Sequence, residues 1–277
     1  MSESTAFEGL VDVPGGRLWA QWAGEGSAVV LVHAGVADAR MWDPQWDALV
    51  ARHRVARYDT RGFGRTETEA VPFSNRADLV AVLDAAGIER AVFVGCSRAG
   101  QIVVDTALEY PDRCAGIVWV CGGLSGFEWE ETPEELAAFE RSEALEEAHD
   151  WAALADHEVQ VWVDGIGQPA GRAPAFARDF VRLMTLETYV QEKESGQPIV
   201  LDPPAFGRLG ELRVPVLAIA GGLDESGVRA GAGVLVERAG ARRIDLPDVA
   251  HLPSLERPAW FTETLLGFLA EVGAASE

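Results

Sequence analysis

Short, almost wholly apolar runs punctuate the chain and alternate with stretches in which apolar residues return every three or four positions. Runs at 18–23, 28–33, 54–59, 90–95, 114–121, 214–220 and 242–246 predict β-strands. Amphipathic stretches between several of them, at 76–86, 98–110 and 228–238, predict helices. The inner runs (AVVLVH, AVFVG, GIVWV and VPVLAIA) lack a polar face, as strands covered by helices on both sides do. Alternation of this kind predicts an α/β fold around a parallel sheet with mainly right-handed crossovers.

The rhythm breaks between about 124 and 213, where helical patterns follow one another without a strand. Thr132-Pro133-Glu134-Glu135 reads as an N-cap, a proline at the first helical position and a glutamate three residues past the cap. Leu136, Phe139 and Leu145 follow as a sparse apolar stripe. A second helix is predicted over 174–194, carrying Phe176, Phe180, Leu183, Met184 and Tyr189. The strand pattern resumes at Val214 with no flexible linker, which favours a lid on the sheet over a separate helical domain.

Composition narrows the classes. A chain of 277 residues, 48% hydrophobic, can bury a full core without disulfides or a structural metal. Forty-four acids against 23 bases give a formal charge of −21, which argues against a nucleic-acid binder and against anchoring on anionic lipid. Three cysteines, at 96, 114 and 121, form neither a disulfide framework nor a zinc motif. The first residues lack the pattern of a signal peptide, and no apolar run has the ~18 residues needed to span a bilayer. The expectation is a soluble, cytoplasmic protein.

Chemistry concentrates at Gly95-Cys96-Ser97-Arg98-Ala99-Gly100, which follows an apolar strand and opens a helical pattern. A nucleophile elbow needs this context, because the sharp turn lifts the serine hydroxyl above the sheet edge. The serine is a weak nucleophile without a base. Of the five histidines, His251 lies after the last predicted strand, whereas His149 and His157 fall in the acidic helical region. Asp224, just past the strand at 214–220, is the expected acid that orients His251, with Asp248 as the alternative. The order Ser97, Asp224, His251 is that of an α/β-hydrolase. Two backbone N–H groups should hold the oxyanion. The amide of Arg98, which opens a helix, is one candidate. The other belongs to the loop after 28–33: Gly35, or else Ala34 or Val36.

With these pieces in place the sequence resembles the α/β-hydrolase superfamily over nearly its whole length. LVHAGVADARMW, YDTRGFGRT, GCSRAG, GGLDE and VAHLPSLERP carry the resemblance, in that order. It implies a mostly parallel eight-stranded sheet with helices on both faces and a helical lid inserted after strand 6. The core domain would then comprise 1–123 and 214–277, and the cap 124–213. Within the superfamily the chain is most similar to small bacterial hydrolases around the 3-oxoadipate enol-lactonases and related esterases. His33-Ala34-Gly35-Val36 departs from the commoner His-Gly-x-Pro, so the second oxyanion amide stays open. The segment from Asp59 to Gly64 would be a structural loop. Ser97 stands where epoxide hydrolases and haloalkane dehalogenases carry an aspartate, which disfavours both. Hydroxynitrile lyases use a lysine near the pocket, and the single lysine here, Lys193, sits among acids late in the lid.

The expected function is hydrolysis of a small carboxylic ester or lactone through an acyl-enzyme, with neither metal nor organic cofactor. The expected partner is a small-molecule substrate, with a homodimer left open. Trp42, Phe127, Trp129, Trp162, Phe180, Met184 and Leu252 are candidates to line an apolar pocket. The Arg98 side chain has two readings, a pair with a substrate carboxylate or, the blander one, a structural salt bridge. Rival functions are C–C bond hydrolysis of a diketone-type substrate on the same triad, and a non-hydrolytic binding or biosynthetic role.

Overall fold

The computed structural model describes residues 6–193 and 195–274, so the predicted helix end at Glu194 lies outside the described residues. Nine strands among them form one sheet: β1 (Phe7–Val13), β2 (Gly16–Ala23), β3 (Ala28–Val32), β4 (Arg54–Tyr58), β5 (Glu67–Thr68), β6 (Ala91–Cys96), β7 (Cys114–Val120), β8 (Val216–Gly221) and β9 (Arg242–Leu246). The order β1-β2-β4-β3-β6-β7-β8-β9 makes the eight-stranded path, and the two-residue β5 pairs with β2 beside it. Every pairing from β4 to β9 along the path is parallel, while β2 runs antiparallel to both β1 and β4. β1 gave no signal in sequence because its FEGLVDV mixes acids and glycine with apolar residues. As an edge strand it is held by β2, with Phe7 stacked on Trp22 at 4.0 Å.

Helices cover both faces, as the apolar inner strands require. On one side α2 (Asn75–Ala85), α3 (Arg98–Glu109) and α7 (Ser226–Ala239) bury Leu79, Leu83, Val103 and Leu235 against the sheet. On the other, α1 (Asp43–Val50) and α9 (Pro258–Ala274) bury Leu49, Phe261, Leu265 and Leu269. The three cysteines are buried and free. No helix among the described residues is long and apolar enough to cross a membrane.

Between β7 and β8 lie α4 (Pro133–Glu147), α5 (Trp151–Glu158), a π-helix (Val159–Gly165) and α6 (Ala175–Val190). The capping box forms as the sequence predicts: Thr132 Oγ1 accepts the Glu135 N–H at 3.2 Å and Glu135 accepts the Thr132 N–H at 2.8 Å. The same carboxylate accepts the Ser226 N–H and hydroxyl, tying α4 to the start of α7. Val181 and Met184 of α6 join the core on the α1/α9 face, and Thr185 donates its hydroxyl to the Val36 carbonyl at 2.8 Å. These helices therefore meet the loops at the carboxyl ends of the strands.

The loop after β4 has the structural role expected of it. Buried Asp59 accepts the N–H groups of Ala39 (2.9 Å) and Arg65 (2.8 Å). Burial, together with the charge of Asp38, pushes its carboxyl up to about 6. Gly64 turns at φ +50 where a Cβ would lie 2.1 Å from the Asp59 carboxylate, so only glycine fits. Arg61 and Asp78 form a buried pair at 2.7 Å that locks this loop onto α2.

Candidate active site

Ser97 sits between β6 and α3 with φ 59 and ψ −127, the strained turn an elbow requires. Neighbouring backbone fixes it: its N–H donates to Val120 of β7 at 3.0 Å, and its carbonyl accepts Gly100 at 2.8 Å and Gly123 at 3.0 Å. Close packing explains the small residues around it. A Cβ on Gly95 would lie 2.2 Å from the Ala99 carbonyl, and one on Gly100 would lie 2.6 Å from Gly122. The turn leaves the Arg98 amide at the first position of α3 with no carbonyl partner in the helix.

Asp224 follows β8 and His251 follows β9, and the two meet. His251 Nδ1 lies 2.8 and 2.9 Å from the two Asp224 carboxylate oxygens, with both side chains almost fully buried. That contact places the proton on Nδ1 and leaves Nε2 as the basic lone pair. Nε2 is buried and has no hydrogen-bond partner among the described residues. Cys96, the residue before Ser97, donates its thiol to the His251 carbonyl at 3.7 Å, which sets the imidazole loop beside the elbow. Burial works to lower the His251 pKa, but the charge and hydrogen bond of Asp224, then the charges of Glu225 and Glu256, raise it above the usual imidazole value. Asp248, the alternative acid, is exposed and paired with Arg257 instead.

On the opposite flank, a chain of polar groups holds the loop after β3. Arg98 donates through Nη2 to Thr60 Oγ1, which lies 3.0 Å from His33 Nε2. His33 Nδ1 donates to the Ala34 carbonyl at 2.7 Å, and the Ala37 N–H donates there also at 3.2 Å. His33 is neutral: burial, and then the charge of Arg98, pushes its imidazole down to about 4. With the Ala34 carbonyl pinned on one side of a trans peptide, the Gly35 N–H points the other way. It donates to no described residue, and the space beside Gly35 is open. The Ala34 N–H is already directed at the Met41 sulfur at 3.2 Å. Of the candidate amides, that of Ala34 is thus engaged, whereas those of Gly35, Val36 and Arg98 donate to no described residue.

Among the apolar candidates, Trp162 reaches the site. Its ring centroid lies 4.5 Å from that of His251, its carbonyl accepts the His251 N–H at 3.2 Å, and its indole N–H donates to Glu158. Trp42, Met184 and Leu252 are instead fully buried in the core, Trp42 against Phe261. Phe180 packs at the edge of that core and stacks on exposed Phe176. Phe127 and Trp129 form an aromatic group with Phe206, and Trp129 covers Gly227 of α7.

Sequence reasoning passed over Thr60, Glu225, Glu256 and Arg172. Arg172 donates to the Val163, Asp164 and Asp248 carbonyls and to the Glu256 carboxylate, whose other oxygen accepts the Ala250 N–H at 2.9 Å. Glu225 borders Asp224 and its carboxyl is pushed up to about 7 by burial, against the pull of His251. Thr60 and Glu225 lie inside the runs YDTRGFGRT and GGLDE without a role read for them, and Arg172 and Glu256 act on backbone groups of irregular loops. Glu256 had only its place in VAHLPSLERP as a signal, and Arg172 had none.

Comparison with known proteins identifies the family. A family profile described as the alpha/beta hydrolase fold matches residues 27–258. The solved enol-lactonase from Burkholderia xenovorans LB400 is 30% identical, covers 95% of this chain and 100% of its own, and superposes with a TM-score of 0.73. The 3-oxoadipate enol-lactonase 1 of Acinetobacter baylyi is 24% identical over 88% of this chain and 89% of its own length. A Caulobacter vibrioides protein named as a carbamate hydrolase is 39% identical over 102 residues, which span 35% of this chain and only 38% of that relative. The chain belongs to the α/β-hydrolase fold family.

Proposed function

We propose that the protein hydrolyses small carboxylic esters or lactones through an acyl-enzyme on Ser97. His251 Nε2 takes the Ser97 proton as Oγ bonds to the scissile carbonyl carbon, and Asp224 stabilises the imidazolium that results. The Gly35 and Arg98 amides hold the oxyanion. The tetrahedral adduct expels the alkoxide, which leaves with the proton from His251. Water then gives a proton to His251, attacks the acyl carbon and releases the acid with Ser97 restored. Residues 124–213 act as a cap on a core of 1–123 and 214–277, and Trp162 borders the reacting centre. The observation that carries this reading is the buried Asp224–His251 pair with its unpartnered Nε2, on a loop joined through Cys96 to the turn that carries Ser97. The enol-lactonase names of two full-length relatives support the substrate class.

Intact mass after treatment with a fluorophosphonate tests it, alongside turnover of p-nitrophenyl acetate and dihydrocoumarin. Wild type should gain one adduct and turn over both, and Ser97→Ala should do neither. A folded wild type that takes no adduct and cleaves neither compound overturns the proposal.

A further inference from the structure

Two charged side chains in and around the site have no counter-ion among the described residues. One is Arg98, whose guanidinium donates to the Thr60 hydroxyl and lies over the Phe63 ring at 4.7 Å. The structural salt bridge expected as one reading of that side chain is therefore not made. The other is Glu158, the last residue of α5, which is almost fully buried. Asp164 and Glu256, also buried, are each paired with an arginine, Arg178 and Arg172. Glu158 instead accepts two neutral donors, the Trp162 indole N–H and, at 2.7 Å, the Ser142 hydroxyl of α4. Burial raises its carboxyl pKa, and these two hydrogen bonds work against that. A carboxylate out of water is costly, and an amide oxygen has lone pairs enough for the same two donors. Holding the indole does not by itself call for an acid.

The charge lies one ring away from the base. The Trp162 ring centroid is 4.5 Å from that of His251, with the two planes at 45°. The Trp162 carbonyl accepts the His251 N–H at 3.2 Å, and Phe139 of α4 stacks on the indole at 5.8 Å. The indole is thus held by the histidine loop and by α4 together. An aromatic face attracts a cation within about 6 Å of its centroid, and tryptophan does so best. A carboxylate on the indole N–H pushes electron density into the ring and strengthens that attraction. The imidazole becomes a cation when it takes the serine proton. We propose that Trp162 is a positioning residue that stabilises the His251 imidazolium through its ring, and that Glu158 holds and polarises the indole. The strength of the base then depends on the seating of the cap. This rests on His251 serving Ser97 as its base. Asp224 and Glu225 before α7, and Glu256 just after the histidine, are the other charges that act on the imidazole. Burial keeps the Cys96 and Cys121 thiols, which hold the His251 and Ala250 carbonyls, neutral.

The test reads the imidazole directly. In the Ser97→Ala background the His251 ring is followed by NMR against pH, its signals assigned by their loss in His251→Gln. The same titration is run with Trp162→Leu, Trp162→Phe, Glu158→Gln and the pair Trp162→Leu with Glu158→Gln. Trp162→Leu should weaken proton binding by the imidazole about three- to tenfold, and Trp162→Phe by less, because a smaller aromatic face remains. Glu158→Gln, which keeps an acceptor for both donors, should weaken it too, but only while Trp162 is present. A ring that merely kept water out would give the opposite sign. Its loss would admit solvent, relieve the desolvation that works against the imidazolium and strengthen proton binding. Fluorophosphonate labelling of the protein with Ser97 intact is the control for the serine reaction. Proton binding that is unchanged or stronger in both Trp162 variants overturns the inference and leaves the serine mechanism standing. An equal effect of Glu158→Gln with and without Trp162 overturns the role given to the indole. Wild type that takes no label and cleaves no ester overturns both readings.

Discussion

His251 is buried and yet more basic than a free imidazole, because the charge and hydrogen bond of Asp224 outweigh the desolvation that burial imposes. Attack requires its neutral form. The acid limb of kcat/KM should therefore lie above the ordinary imidazole value, with activity falling as pH drops through it. Asp224→Asn removes the charge and offers the wrong hydrogen-bond partner to Nδ1. It should move that limb to lower pH and reduce kcat by about 10⁴. A pH–rate profile of the two proteins checks both, and an unmoved limb would mean that Asp224 does not face the working base. The three residues of the proposed triad were legible in sequence because each stands just past a strand-like run in a fixed order. Arg98 was legible as a position but not as an unpaired charge, since pairing depends on which acids the fold brings near.

Among the elements, the π-helix Val159–Gly165 and the short α8 (Pro253–Glu256) do most to place the histidine. The alternation Val159, Val161, Val163 suits neither a helix nor a covered strand cleanly, so the π-turn could not be read from periodicity. It presents the Trp162 carbonyl to the His251 N–H, while Arg172 links Val163 and Asp164 to Asp248 and Glu256. Arg172→Gln leaves the Glu256 carboxylate buried with no cation, a loss of about 3–5 kcal/mol when such a pair is broken. The variant should melt at a lower temperature, and its kcat should fall more than its KM rises, because the base moves while the pocket stays. Removing both groups in Arg172→Leu with Glu256→Leu should recover only the part of Tm lost to the unpaired carboxylate, because the Ala250 N–H and three loop carbonyls lose their partners, and should not recover kcat. Calorimetry and steady-state rates check this, and a recovered kcat would count against a positioning role.

At the scale of the whole molecule, 44 acids against 23 bases leave a self-repelling surface. Pairs such as Arg17–Glu67 and Arg242–Glu271 are exposed and contribute little each. Raising ionic strength to about 0.3 M shortens the Debye length below 10 Å and should raise Tm. A Tm that falls with salt would show that local pairs outweigh the net charge. The parallel sheet and its two covered faces were legible in the apolar runs of β3, β6, β7 and β8, because strands buried on both sides cannot hide their composition, whereas the order of the strands was not. β1 was missed for the opposite reason, having one face and an open edge.

The parallel partners β7 and β8 are neighbours in space, Trp119 beside Ala218, although the whole of α4 to α6 lies between them in the chain. Closing a loop grows dearer only with the logarithm of its length, so doubling that segment would add about 0.6 kcal/mol to the closure entropy. The junction after β7 is therefore a place where the chain can lengthen or shorten at small thermodynamic expense while the sheet keeps its register. What such a change must preserve is small: a carbonyl at position 162 and a guanidinium at position 172, through which the inserted helices grip the histidine loop. Under the proposed function, substrate range can then drift by insertion and deletion while two points of attachment keep the histidine in place.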